Sequence, residues 1–132
     1  MASRSSRRKP CIPIADDDPD IRESMCGAIA SWHCVALGAS SGSEALDILG
    51  HRRVDVVLCD VVMPGMDGAE TLREIQQRVP ALPVIMMSAM MTPDFRQHFC
   101  HIGAQACLAK PMDRKELAPA LSPRSVPAVR KS

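Results

Sequence analysis

The sequence predicts an α/β domain, a doubly wound sheet of five parallel strands with five helices. Three observations predict it. Five short apolar runs alternate with five stretches of helical periodicity, the pattern of a parallel sheet with helices on both faces. The strongest runs are continuous rather than alternating, which marks strands buried on both sides. Several runs end on a carboxylate, hydroxyl or ammonium before the chain turns, and in open α/β sheets that carboxyl edge is where ligands bind.

The elements follow in order. Residues 1–9 are Ser/Arg-rich and read as a disordered basic arm, leaving one domain over 10–121 and a disordered Pro/basic tail over 122–132. Cys11 to Ala15 is the first strand and runs into "DDDPD". Pro19 and the first-turn acids open a helix with Ile21, Met25, Ile29 and Trp32 at helical spacing. "VALGAS" is a weak strand, and "SEALDILGHR" a short helix whose apolar face is Ala45, Leu46 and Leu49. Val54 to Cys59 is β-branched and apolar except for Asp55, a buried strand that ends on Asp60 and breaks into "MPGMDG". Asp67 caps the next helix, which runs through Val79 with Leu72, Ile75 and Val79 inward. "PVIMMSAM" is the fourth strand, Pro93 to Ile102 a helix, "ACLAK" the last strand and Asp113 to Leu121 the final helix. Pro119, Pro123 and Pro127 limit its continuation.

At 132 residues the chain has room for one core. Trp32, Phe95 and Phe99 are its only aromatics besides histidine, so Val, Ile, Leu, Ala and nine Met must fill that core. The overall charge of +1 hides an asymmetry: residues 10–121 hold 9 basic and 15 acidic residues, a net of −6, with the remaining basic residues in the two ends. An acidic body is a poor nucleic-acid surface. No run reaches membrane-spanning length and no apolar stretch follows the basic start, so the expected location is the cytoplasm, without membrane contact. The six cysteines show no C-x-x-C pair and no disulfide framework. His98, Cys100 and His101 lie close on one helix but lack a fourth ligand, which favours an ordinary surface helix over a metal site.

The sheet topology brings the residues after each strand to one edge: Asp16 and Asp17 from the first, Asp60 from the third, Ser88 from the fourth, Lys110 from the fifth. Singly, each has an ordinary reading, as a helix-terminal acid, a strand-end serine or a solvated lysine. A calcium loop over Asp16, Asp18 and Asp20 fails on spacing, because the sixth position is Ile21 and the twelfth Gly27. A haloacid-dehalogenase-type phosphohydrolase wants Asp-x-Asp-x-Thr, and neither that threonine nor a cap domain is present.

The motifs "DDDPDIR", "DVVMPGMDG", "PVIMMSA" and "GAQACLAKP", in that order and spacing over about residues 11 to 118, resemble the receiver domain of bacterial two-component response regulators. The resemblance implies a flavodoxin-like sheet of order 2-1-3-4-5. It implies that Asp60 accepts a phosphoryl group from a histidine kinase or phosphotransfer protein, with Mg²⁺ held by Asp17, Asp60 and the backbone carbonyl of Val62, and Asp16 steadying a bound water. Lys110 and Ser88 would contact phosphoryl oxygens, and Pro111 would follow a cis peptide that aims the ammonium. The output face would be the fourth helix, fifth strand and fifth helix, with Arg96, His98, Arg114 and Lys115 exposed, in a monomer or weak dimer. Attack by a carboxylate on a phosphoryl donor needs chiefly positioning and charge neutralisation, which this set supplies.

Four departures qualify the resemblance. Cys107 stands where the family has its switch aromatic, so transmission must differ or be weak while phosphorylation survives. Pro13 lies in what should be a central strand, which must begin late, bulge or lose a bond. Val62 and Met90, which flank the path of the hydrolytic water, are apolar, so the acyl phosphate should hydrolyse slowly. No output domain follows in the sequence, as in a stand-alone receiver or one cut from a longer chain. The alternative reading is a degenerate receiver, an interaction module without a phosphorylation switch.

Overall fold

A computed structural model of the chain describes residues 9–63 and 65–121. They form β1 (Cys11–Ala15), α1 (Pro19–Ala30), β2 (Val35–Ala39), α2 (Gly42–His51), β3 (Val57–Asp60), α3 (Gly68–Arg78), β4 (Val84–Ser88), α4 (Pro93–His101), β5 (Ala106–Ala109) and α5 (Arg114–Leu121). The sheet is parallel throughout, in the order β2-β1-β3-β4-β5. That is the flavodoxin-like order expected from the sequence.

Alternation along the strands builds two cores. Ile12, Ile14, Leu58, Ile85 and Met87 face Met25, Ile29 and Leu117, so α1 and α5 cover one side. Ala15, Val57, Cys59, Val84, Met86 and Cys107 face Leu46, Leu72, Ile75 and Phe99, so α2, α3 and α4 cover the other. The inner strands β1, β3 and β4 are buried along their whole length. The edges β2 and β5 are only partly so.

Short polar side chains start four helices. Asp18 caps α1, Ser41 caps α2 and Thr92 caps α4, while Asp67 and Glu70 form a reciprocal capping box on α3. Each such cap contributes about 1 kcal/mol. All four follow strands, so helix N-termini and strand C-termini share one edge of the sheet.

Several boundaries differ from the sequence expectation. The expected third strand from Val54 begins at Val57, because Asp55 is engaged elsewhere: its carboxylate accepts the Cys11 N–H at 2.7 Å while its own N–H reaches the Cys11 carbonyl at 2.9 Å. Pro13 neither delays nor bulges β1, which pairs with β2 over all five residues. Its missing N–H falls on the other side. Cys11 faces β3, so Pro13, two residues on, faces β3 as well, and the β1–β3 ladder registers only at Ile14 and Ala15. Val79 is not inward; it is the C-cap of α3 and 38% exposed. Trp32 lies beyond the end of α1 yet still packs against its core. Residues 1–8 and 122–132, expected as disordered ends, lie outside the described residues.

Candidate functional site

The strand ends deliver the expected residues to one place. Asp16 follows β1 and is fully buried, while its neighbour Asp17 is exposed. Asp60 is the last residue of β3 and Ser88 the last of β4; both are buried. Lys110 follows β5, and its N–H donates to the Ser88 carbonyl at 2.9 Å, which fixes it beside β4. Its side chain crosses the edge: Nζ donates to Asp16 Oδ2 at 2.7 Å and to Asp60 Oδ2 at 3.2 Å. The Lys110–Pro111 peptide is cis, as the resemblance implied.

Asp16 is held from several directions. Its second carboxylate oxygen accepts the Asp18 N–H at 2.9 Å, and its carbonyl accepts the Arg22 guanidinium at 2.7 Å. Arg22 was not foreseen, because nothing in its local pattern separates it from a solvated helix arginine. Gly68 was also missed. A Cβ there would lie 2.6 Å from Val61 Cα and 2.7 Å from the Asp60 carbonyl oxygen, so only glycine lets α3 begin against the backbone that carries Asp60.

The charges are uneven. Burial, with help from the Asp16 charge, raises the Asp60 pKa against the lowering effect of Lys110 and of the Val62 N–H. For Lys110, burial opposes the charged form, but the Asp16 hydrogen bond and the two carboxylate charges outweigh it, and the net direction is up. One ammonium thus bridges two carboxylates. Among the described residues, one group of potential metal ligands converges, Asp16, Asp17 and Asp60, with ligand oxygens all within 4.8 Å of one another. Hard oxygen donors with excess negative charge fit Mg²⁺. His98, Cys100 and His101 form no such group.

Ser88 Oγ accepts the Met90 N–H at 3.0 Å, which orients the hydroxyl and leaves its proton available to another acceptor. Val62 and Met90 are 68% and 67% exposed. Cys107 is buried, its carbonyl accepts the Arg96 guanidinium, and its Sγ lies 4.0 Å from that of Cys100. Arg96 and Lys115 are exposed, as is His98, but His98 lines a groove with Val62, Asp67 and Phe95, on the side of α4 toward the β3–α3 loop. The side chain of Arg114 lies outside the described residues.

Known proteins share this fold. The family model described as the response regulator receiver domain matches residues 12–122. The DNA-binding transcriptional regulator NtrC of Escherichia coli K12 is 39% identical over 113 residues, covering 86% of this chain and 24% of that protein. The chain thus spans about a quarter of the length of this relative. A receiver domain from Clostridium thermocellum superposes with TM-score 0.83 at 27% identity, over 92% of this chain and 98% of that one. The chemotaxis protein CheY4 of Vibrio cholerae superposes with TM-score 0.82 at 26% identity, over 86% and 97%. On this family match and this identity, the chain belongs to the response regulator receiver domain family.

Proposed function

We propose that the domain takes a phosphoryl group from a histidine kinase or phosphotransfer protein onto Asp60 and thereby alters its affinity for a downstream protein. The observation that carries the proposal is the Lys110 ammonium shared between Asp16 and Asp60 at 2.7 and 3.2 Å. A carboxylate oxygen of Asp60 attacks phosphorus, the bond to the donor nitrogen breaks, and the nitrogen leaves with the electron pair. Lys110 already touches the carboxylate and neutralises charge on the phosphoryl oxygens as it develops. The Ser88 hydroxyl, held by the Met90 N–H, donates to another of those oxygens. Asp16, Asp17, Asp60 and the Val62 carbonyl would hold Mg²⁺, which would add further neutralisation of the transferred group. A hollow lined by Asp20, Ile21, Ser24, Met25, Ala89, Lys110, Pro111 and Met112 opens beside Lys110 and offers part of a donor a mostly apolar surface.

Transmission belongs in this reading to α4, β5 and α5, in a cytoplasmic monomer or weak dimer. Val62 and Met90 offer the attacking water no polar side chain, which supports slow hydrolysis of the acyl phosphate. The second reading, an interaction module without a switch, draws on Cys107. It leaves the shared ammonium without a role.

Acetyl phosphate with Mg²⁺, followed by intact mass, tests the proposal. Wild type should gain one phosphoryl group only when Mg²⁺ is present, and Asp60→Asn none. The wild-type adduct should decay slowly; a half-life as short as that of fast-cycling motility regulators would overturn the hydrolysis expectation. A folded wild-type protein without an adduct would favour the interaction module instead.

A further inference from the structure

We propose that Cys100 and Cys107 form a site of reversible thiol oxidation, with a peroxide as substrate and a disulfide between α4 and β5 as product. Cys100 sits in the last turn of α4 and Cys107 in β5, with their Sγ atoms 4.0 Å apart. The bond requires about 2 Å, so the sulfurs must close by roughly that amount again. The two segments are already tied in register. The Arg96 guanidinium donates to the Cys107 carbonyl, and the Cys107 thiol lies 3.8 Å from the Arg96 carbonyl.

Access selects the pair. Of the six cysteines Cys100 is the one that is exposed; Cys11 and Cys59 are buried and Cys26 and Cys34 partly so. Burial pushes the Cys59 thiol up to about 12 and raises those of Cys26 and Cys34, which disfavours the thiolate that reacts with oxidants. A peroxide from solvent therefore meets Cys100 first.

The steps balance. The Cys100 sulfur attacks one peroxide oxygen, the O–O bond breaks, and the departing hydroxide takes a proton to become water, leaving a sulfenic acid. The Cys107 sulfur then attacks the Cys100 sulfur, the S–O bond breaks, and the hydroxyl leaves as water with the proton that Cys107 gives up. Two thiols lose two electrons and two protons, and one peroxide becomes two waters. Burial pushes the Cys107 thiol up to about 12, which slows this second step. The site needs neither Asp60 nor Mg²⁺, and its chemistry is independent of phosphoryl transfer.

The test treats the whole chain with hydrogen peroxide, denatures it in N-ethylmaleimide and digests it with trypsin. Both cysteines fall in the tryptic segment 97–114, because the bond between Lys110 and Pro111 resists cleavage. With increasing peroxide this peptide should shift from doubly labelled to unlabelled and lighter by two hydrogens. Dithiothreitol before labelling should restore the doubly labelled form. The surface substitution Cys100→Ser should leave Cys107 fully labelled in a protein with unchanged circular dichroism. Asp60→Asn should oxidise like wild type. Cys100 carried to sulfinic acid, joined to another chain or paired with Cys26 or Cys34 while Cys107 still takes maleimide would overturn the proposal. So would a peptide that peroxide leaves doubly labelled.

Discussion

The strand-end pocket and the α4–β5 seam meet at the same fifth strand, with Cys107 within it and Lys110 just past its end three residues on, and are built in opposite ways. In the pocket every element converges on a charge: Asp16 is fixed through both carboxylate oxygens and its own carbonyl, and Lys110 bridges two strands. In the seam a small thiol faces another thiol, and a single guanidinium ties helix to strand. In the proposed function, the difference makes acquiring a phosphoryl group and reporting it separate physical problems. Acquisition needs charges held at fixed positions. Reporting needs an element with two discrete packings, and a cysteine has too little bulk to supply them as a ring does.

The largest expected effect lies in the pocket. Lys110→Met removes the one charge between two buried carboxylates and should slow phosphorylation by acetyl phosphate about 100-fold or more, read from the time course of intact mass. A rate near wild type would show that the bridging ammonium is structural. Gly68→Ala drives a Cβ into the Val61 and Asp60 backbone and should cost about 2–3 kcal/mol in a urea melt, with slower phosphorylation because Asp60 moves. Retention of both would mean that α3 can slide without disturbing the site.

A third effect depends on pH. Because burial raises its pKa, Asp60 binds its proton more tightly folded than unfolded, and its ionised form costs stability at neutral pH. Asp60→Asn should therefore melt above wild type at neutral pH. The gap should close as pH falls through the folded pKa of Asp60, where wild type recovers its proton. Parallel melting curves at neutral and acid pH would contradict this. The smallest effect belongs to the seam. Cys107→Ala should cost about 1 kcal/mol and change the phosphorylation rate by no more than about twofold. A large loss of phosphorylation would break the separation between the two regions.

Elements whose signal is local were legible in the sequence. The strand-end positions of Asp16, Asp60, Ser88 and Lys110 follow from continuous apolar runs meeting turn residues, and the Asp67 cap from its place just before an apolar-periodic helix. What escaped depends on contacts across the fold. Asp55 reads as an interruption within a strand, yet its carboxylate completes the hydrogen bonding of Cys11, forty-four residues away. Pro13 reads as a defect of β1, but only the register shows that its missing donor faces β3. Arg22 looks like an ordinary helix residue and Gly68 like a turn glycine until the carbonyls of Asp16 and Asp60 are seen beside them. Cys100 and Cys107 are seven residues apart, and the turn after α4 is what lays one over the other.

The short β1–β3 ladder carries a consequence for how the molecule breathes. The two strands are laddered at Ile14 and Ala15, next to the acidic pocket, and at the opposite end are held by the Asp55 carboxylate and one backbone hydrogen bond from the Asp55 N–H to the Cys11 carbonyl. Local opening therefore begins at the far end of the sheet, near Cys11 and Asp55, and amide hydrogen exchange should be faster there than at Leu58 to Asp60. Partial unfolding of that kind would loosen the floor of the domain while leaving the strand ends at Asp60, Ser88 and Lys110 in place.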